Sequence, residues 1–337
     1  MSCNNKDNSL VWLPSKLLFI YSKENDNRQA LTEALNMAKN AQASLTIVTV
    51  LESILNTEAL MSTDLEDSEL YQSMMASHRE LLTSVSEFTE DVKIDHKLLL
   101  GMPFIEVIKE ARAGNYDLVV KAADNEGLLN RVFGSADMRL MRKCPIPVWL
   151  VQQDFAQDMD RQKPKIVLAT VDASENYPDQ ELQTRQDLNL KVIEIAVSIA
   201  LAEGAELHLL SVWHAEYESG MRGPLVGMAE QDVDKYVDDL KHQHDESLNR
   251  MLAHAYKLLG EDVEQYIKPK VISLKGAPRK KIAEYARHID ASLVVMGTVA
   301  RTGIAGFIMG NTAENILLQL HQSVIAIKPS GFVSPVA

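Results

Sequence analysis

Cysteine is nearly absent from this 337-residue chain: only Cys3 and Cys144 occur, far apart. Two thiols cannot build a disulfide framework, and their scarcity suits a reducing compartment. Positive charge is also short, with 34 Lys and Arg against 47 Asp and Glu for a net charge of -13. An acidic surface repels phosphate backbones and anionic lipid leaflets, which argues against a general nucleic-acid or membrane-surface binder. No apolar run approaches the roughly 20 residues needed to span a bilayer. The opening MSCNNKDNSL lacks the charged-then-apolar pattern of a signal peptide, so a soluble, cytoplasmic protein is expected. Catalytic signatures are missing too: there is no HExxH, no GxSxG and no lysine after a glycine loop in the Walker manner. Protease, hydrolase and kinase readings therefore lack a nucleophile or a metal scaffold. His242 and His244 stand two apart in a helical stretch, on nearly opposite faces, and make a poor metal pair.

What is present is enough apolar material, 46% of residues, for two ordinary cores, and an internal repeat to fill them. Ser15-Lys16-Leu17-Leu18-Phe19-Ile20 matches Pro164-Lys165-Ile166-Val167-Leu168-Ala169 at an offset of 149. Ala43-Ser44-Leu45 matches Ala205-Glu206-Leu207 at 162, Gly101-Met102-Pro103 matches Gly276-Ala277-Pro278 at 175, and Gly134 matches Gly310 at 176. The offset grows in two steps, so the second copy carries two insertions, over Ser174 to Asp187 and His214 to Glu230. The polar, charged stretch from Gln152 to Pro164 reads as connecting chain. This divides the protein into a first domain over 1–152, a linker over 153–164 and a second domain over 165–337.

In copy one the periodicity predicts strands over 17–21, 45–51, 92–100, 117–121 and 147–151, and helices over 28–41, 70–90, 104–113 and 135–142. Copy two repeats the order. Its strands fall over 166–171, 207–212, 265–274, 292–297 and 324–328, and its helices over 188–201, 231–259, 278–288 and 312–320. Strands alternating with helices imply an α/β fold: two tandem doubly wound parallel-sheet domains with helices on both faces. Both insertions then sit above the carboxyl ends of the strands, the side on which open α/β sheets bind ligands. The second contains EYESGMRGPLVGMAE, with three glycines, and reads as a mobile lid or a plain surface loop.

One stretch organises the second copy: Ser292-Leu293-Val294-Val295-Met296-Gly297-Thr298, a Gly-punctuated loop through Arg301, Gly303 and Gly306, then Met309-Gly310-Asn311-Thr312-Ala313-Glu314. It reads as buried strand, glycine loop and helix start, with Asn311 as N-cap and Glu314 completing a capping box. Glycines admit an anion to backbone N–H groups, and the first helical turn offers unpaired donors. The plainer alternative is that any strand-to-helix turn wants glycine and a cap. Arg301 suits a phosphate or a ribose hydroxyl, or is a solvated surface arginine.

This run resembles the signature of the universal stress proteins: a glycine, two residues, a second glycine, nine residues, then glycine followed by Ser or Thr. The first glycine falls on Gly297 and the third on Gly310, the second falls on Ala300, and the Ser/Thr position falls on Asn311 with Thr312 one step late. An alanine where positive φ is wanted costs roughly 1 kcal/mol and its Cβ crowds a phosphate. The run "GT-x-x-R-T-G … GNTAE" resembles the tandem, two-domain members most. The resemblance implies a non-enzymatic stress-response protein contributing to survival under starvation, oxidative stress or DNA damage. It also implies ATP or another adenine nucleotide in the C-terminal half. Gly297, Arg301, Gly303, Gly310, Asn311 and Thr312 would lie at the phosphates and ribose, and Asp172 or Thr170, at the end of the first strand, at the adenine. The residues alone leave Asp172 equally a turn-former. Copy one has Lys121 and Asp124 at the glycine positions, which obstruct and repel phosphate, so no nucleotide is expected there.

Two other readings stand beside this one. In the first, the degraded loops leave apolar crevices that hold a small molecule or an acyl chain, with Met61, Met74, Met75 and Met102 either lining such a pocket or filling core. The second, an adenine-nucleotide hydrolase, needs a base or metal carboxylates that the sequence does not offer near Gly297 to Gly310. The resemblance further implies a strand order of 3-2-1-4-5 in each half, which leaves the apolar fifth strands, 147–151 and 324–328, at sheet edges. Unpaired apolar edges associate. The halves are therefore expected to pair through antiparallel fifth strands as an internal pseudo-dimer, so that the chain is a monomer.

Overall fold

The computed structural model describes residues 12–52, 69–124, 133–153, 165–224, 226–260, 263–298 and 309–336. The first half runs β1 (Lys16–Tyr21), α1 (Arg28–Ala41), β2 (Ser44–Leu51), α2 (Glu69–Ser84), β3 (Ile94–Leu100), α3 (Pro103–Ala113), β4 (Leu118–Ala122), α4 (Ser135–Lys143) and β5 (Val148–Val151). The second runs β6 (Ile166–Val171), α5 (Asp179–Glu203), β7 (Glu206–Trp213), α6 (Glu218–Met221), α7 (Glu230–Leu259), α8 (Val263–Tyr266), β8 (Lys270–Lys275), α9 (Pro278–His288), β9 (Leu293–Gly297), α10 (Asn311–Leu317) and β10 (Ser323–Ile327). The repeated Gly-x-Pro turns behave alike. Gly101 and Gly276 take φ of +138° and +144°, open to glycine, and Pro103 and Pro278 start α3 and α9, where no N–H is missed.

Each half is a parallel sheet ordered 3-2-1-4-5, and the halves fuse into one ten-stranded sheet, β3-β2-β1-β4-β5-β10-β9-β6-β7-β8. The seam is antiparallel, with Val324 opposite Leu150, Ile325 opposite Trp149 and Ala326 opposite Val148. Alternation along the strands splits the core into two layers: Leu17 and Phe19 face one, Leu18 and Ile20 the other. Leu31 and Leu35 of α1, Val192 and Ile199 of α5 and Leu248 of α7 fill the first layer. Ile108 of α3, Met141 of α4, Ile282 of α9 and Ile316 of α10 fill the second. Both layers run unbroken across the seam.

Three elements differ most from the sequence reading, the first being α2, which ends at Ser84 rather than at 90. α5 begins at Asp179, so most of the first insertion is helix. Its apolar stripe starts only at Leu188. The added turns are held by polar contacts, Arg185 to Glu181 at 2.8 Å and Gln183 to Asp187 at 2.8 Å, which a search for apolar periodicity passes over. Residues 265–267 belong not to a strand but to the turn around α8. There Val263 and Ile267 pack on the core and the Tyr256 hydroxyl donates to the Ile267 carbonyl at 2.8 Å. The expected linker, beyond Gln153, lies outside the described residues.

Candidate functional site

The carboxyl ends of β6, β7 and β9 open into a crevice of about 1030 Å³. Thr170, Asp172, Gly297, Gly310, Asn311 and Thr312 all border it, as do Tyr177 and Arg185 of the first insertion and Tyr217 of the second. The chain thus brings the predicted loop ends, the strand end and both insertions to one place. Arg301 and Gly303, with Ala300, lie outside the described residues.

Asp172 follows the last residue of β6, and its carboxylate is already engaged. It accepts from the Ser174 N–H at 3.1 Å, the Tyr177 hydroxyl at 2.8 Å and Arg185 Nη1 at 3.0 Å. Its backbone exchanges hydrogen bonds with the Asn189 side chain at 3.1 and 2.7 Å. The Arg185 guanidinium lies 3.9 Å from the Tyr177 ring centre, a cation–π contact that completes the knot. Burial first, then the Asp172 charge, push the Tyr177 phenol well above its ordinary range. This geometry makes Asp172 the anchor that folds the first insertion back over β6.

Gly297 ends β9, and a Cβ there would lie 2.5 Å from Leu188 Cδ2. A side chain here would force Leu188 to shift, so α5 crossing the strand end favours glycine whatever else approaches it. Thr298 then pins both ends of the loop. It donates its N–H to the Ile327 carbonyl at 3.0 Å and accepts the Gly310 N–H on its own carbonyl at 3.2 Å. Lys328 Nζ donates to Thr298 Oγ1 at 2.8 Å. Lys328 is nearly enclosed, and burial lowers its pKa to about 7.

The capping box is not formed. Gly310, extended at φ −68° and ψ 142°, takes the cap position, and Asn311 is the first helical residue, with no side-chain cap. Glu314 donates its N–H to the Gly310 carbonyl at 2.9 Å, while its carboxylate pairs with Arg142 across the seam. With the cap moved one residue back to Gly310, Asn311 and Glu314 no longer hold the cap and third positions that a capping box needs, and the Glu314 carboxylate is left to pair across the seam.

Among the crevice residues that carry no sequence motif are Trp213, the last residue of β7, and His244 on α7. Both are over nine-tenths buried, their ring centres are 6.3 Å apart, and Trp213 Nε1 and His244 Nε2 have no hydrogen-bond partner. Burial holds the His244 pKa below its usual value, with Asp245 and Asp172 acting weakly the other way. The available signal was the spacing of Tyr236, Leu240, Gln243 and Ser247, one face of α7 that turns to the crevice. Among the described residues no group of three His, Cys, Asp or Glu is placed to hold a metal ion, and no helix is long and apolar enough to cross a membrane.

The matching place in the first half is filled. Lys121 is buried at the end of β4, and its ammonium contacts Asp137 at 2.8 Å, the Ala122 carbonyl at 3.0 Å and the Asp124 carboxylate. Asp137 is wholly buried and its pKa is raised to about 6, chiefly by desolvation, against the lowering effect of Lys121. Of the methionines considered as a pocket, Met74 is buried, Met102 is half exposed, and Met61 lies outside the described residues.

The Universal stress protein family profile matches residues 15–152 and again 184–328. The universal stress protein E homolog of Haemophilus influenzae is 29% identical over 325 residues, covering 93% of this chain and 97% of its own. Universal stress protein E of Escherichia coli K12 is 30% identical over 236 residues, 69% of this chain and 67% of its own. A functionally unknown protein of Pseudomonas aeruginosa PAO1, whose crystal structure is known, superposes with a TM-score of 0.66 at 21% identity, covering 96% of this chain and 95% of that one. The likeness to that structure speaks for the fold. Two matches in tandem, each on a sheet ordered 3-2-1-4-5, make this chain a two-domain member of the universal stress protein family.

Proposed function

We propose that this chain is a non-enzymatic, cytoplasmic stress-response protein whose second half holds an adenine nucleotide weakly, while its first half holds none. Family membership supports the stress role, extended here to survival under starvation, oxidative stress or DNA damage. The observation that carries the nucleotide reading is the asymmetry of the halves. One strand-end crevice is open and bordered by Gly297 and Gly310 to Thr312, and the other is occupied by the Lys121, Asp124 and Asp137 cluster. Binding is weak because Asp172 is committed to the first insertion and the Gly310 N–H to Thr298. An apolar ligand is the second reading, favoured by the exposed Tyr217, Val226 and Met228 of the second insertion.

Titration calorimetry of the full chain with ATP should give one site per chain, with a dissociation constant on the order of 0.1 mM. Thr312→Asp, which sets a negative charge at the rim, should abolish it. Two sites per chain, or binding unchanged in Thr312→Asp, would overturn the assignment. Native mass spectrometry of protein taken from its own host separates the two readings, because a retained nucleotide and a retained apolar compound differ in mass.

A further inference from the structure

Among the described residues, five buried side-chain atoms lack a hydrogen-bond partner: Trp149 Nε1, Trp213 Nε1, His244 Nε2, Asp245 Oδ1 and Ser273 Oγ. A buried polar group left unpaired costs about 1–3 kcal/mol, so such atoms are rare and call for an explanation. Of these five, Trp213 and His244 border the crevice, and they stand beside one another with ring planes tilted by 34°. The corresponding layer of the first half shows the contrast. Its buried histidine, His78 on α2, is satisfied on both nitrogens, by Thr49 Oγ1 at 2.8 Å and His96 Nδ1 at 3.0 Å. Four of the five unpartnered atoms thus fall in the half with the open crevice, and two of them, on Trp213 and His244, border that crevice with no partner among the described residues.

We propose that Trp213 and His244 form a ring-reading subsite, which takes an uncharged planar heteroaromatic group whose edge presents a hydrogen-bond acceptor to the indole N–H and a complementary group to His244 Nε2. The rest of the crevice fits that class. Tyr236 and Leu240 of α7 and Tyr217 of the second insertion add flat and apolar surface to the same crevice. The carboxylates of Asp172, Glu175 and Glu216 border the same crevice and repel an anion, so any charged tail of the ligand points toward Gly310. Burial keeps His244 neutral, so the subsite reads hydrogen bonds and shape, not charge. The subsite deepens the nucleotide reading, since a purine belongs to this ligand class, yet it does not depend on it. It places the main source of affinity in the ring and not in the phosphates.

The test is calorimetry on the full chain with four probes: adenosine, ATP, inorganic tripolyphosphate, and riboflavin as a planar ring that is not a purine. The variants are Trp213→Phe, which keeps a ring and loses the N–H, and His244→Phe. Adenosine is expected to bind within about threefold of ATP, tripolyphosphate not to bind, and each variant to weaken ring binding at least tenfold, which is about 1.4 kcal/mol. Ligand-free His244→Phe, a ring of nearly the same size, should melt no lower than the parent, because it removes a polar group that the empty protein cannot satisfy. A merely structural role for His244 predicts the reverse, and a clear drop in the melting temperature of this variant would overturn the subsite. ATP binding that is equal in parent and variants would overturn it while leaving the nucleotide assignment intact. Riboflavin binding that both variants lose, with no binding of ATP or adenosine, would uphold the subsite and overturn the nucleotide assignment. No binding of any ring would overturn it.

Discussion

Gly297 shows how one residue type can answer two needs. In sequence it is the first glycine of a phosphate-type loop, but in the fold its hydrogen faces Leu188 Cδ2, where a Cβ would come within 2.5 Å. Gly297→Ala should destabilise the protein by about 1–3 kcal/mol through overpacking. In a Leu188→Ala background that penalty should vanish, because the clashing methyl is gone. Urea denaturation of the four proteins of this cycle measures the coupling. An equal cost in both backgrounds would mean that the backbone, and not Leu188, demands glycine here. Asp172 carries the same lesson. Its type and place at a strand end were visible, but its three acceptor contacts, to Ser174, Tyr177 and Arg185, depend on an insertion that folds back on itself.

At the scale of elements, α2 is docked on β2 and β3 through a polar contact. His78 bonds Thr49 of β2 and His96 of β3, with Tyr21 of β1 edge-on at 5.1 Å. Burial, and then the neighbouring His96, lower the His78 pKa from 6.5 to about 4. In that window the unfolded chain binds a proton that the folded chain refuses. Stability contributed by neutral His78 is thus present above pH 6.5 and is lost as pH falls toward 4. Between pH 7 and 5 the loss from this group should reach up to about 2 kcal/mol. His78→Gln, which cannot titrate, should flatten that part of the stability curve in urea titrations. A slope unchanged by the substitution would assign the acid sensitivity to other groups. Nothing in the sequence around His78 marks it, because Thr49 and His96 reach it only through the register of β2 on β3, where Ile47 stands opposite His96.

The whole molecule depends on one seam. Four residues of β5 and five of β10, almost all of them buried, turn two half-sheets into one and remove the apolar edges that each half would otherwise expose. The core layers continue through Trp149 and Ile325, and Arg142 pairs with Glu314 beside them. Val148→Asp with Leu150→Asp places two charges in that strip, each costly to bury unpaired. The variant should open, seen as a larger radius in small-angle scattering, or aggregate, seen in sedimentation. If it stays as compact and monodisperse as the parent, the seam is not what holds the halves together.

The sequence by itself determined the repeat and most of the order of elements, which follow from local spacing: apolar alternation marks strands and the Gly-x-Pro turn marks helix starts. The fusion of the halves through their fifth strands came from the family resemblance, which put those apolar strands at sheet edges that have to be covered. Thr170, Asp172, Gly297, Gly310, Asn311 and Thr312 border one crevice, because strand ends and the loop between strand and helix are read directly along the chain. Only the tertiary structure decided which polar groups in that crevice are already satisfied. The expected capping box gave way to a cap at Gly310, and the freed Glu314 carboxylate pairs with Arg142, a residue 172 positions away. The added turns of α5 rest on Arg185 reaching Asp172, 13 positions back. Trp213 and His244 meet only because α7 crosses the end of β7. Local propensity acts over a few residues, whereas the pairing of buried polar atoms is settled by chain crossings that no short window of sequence contains.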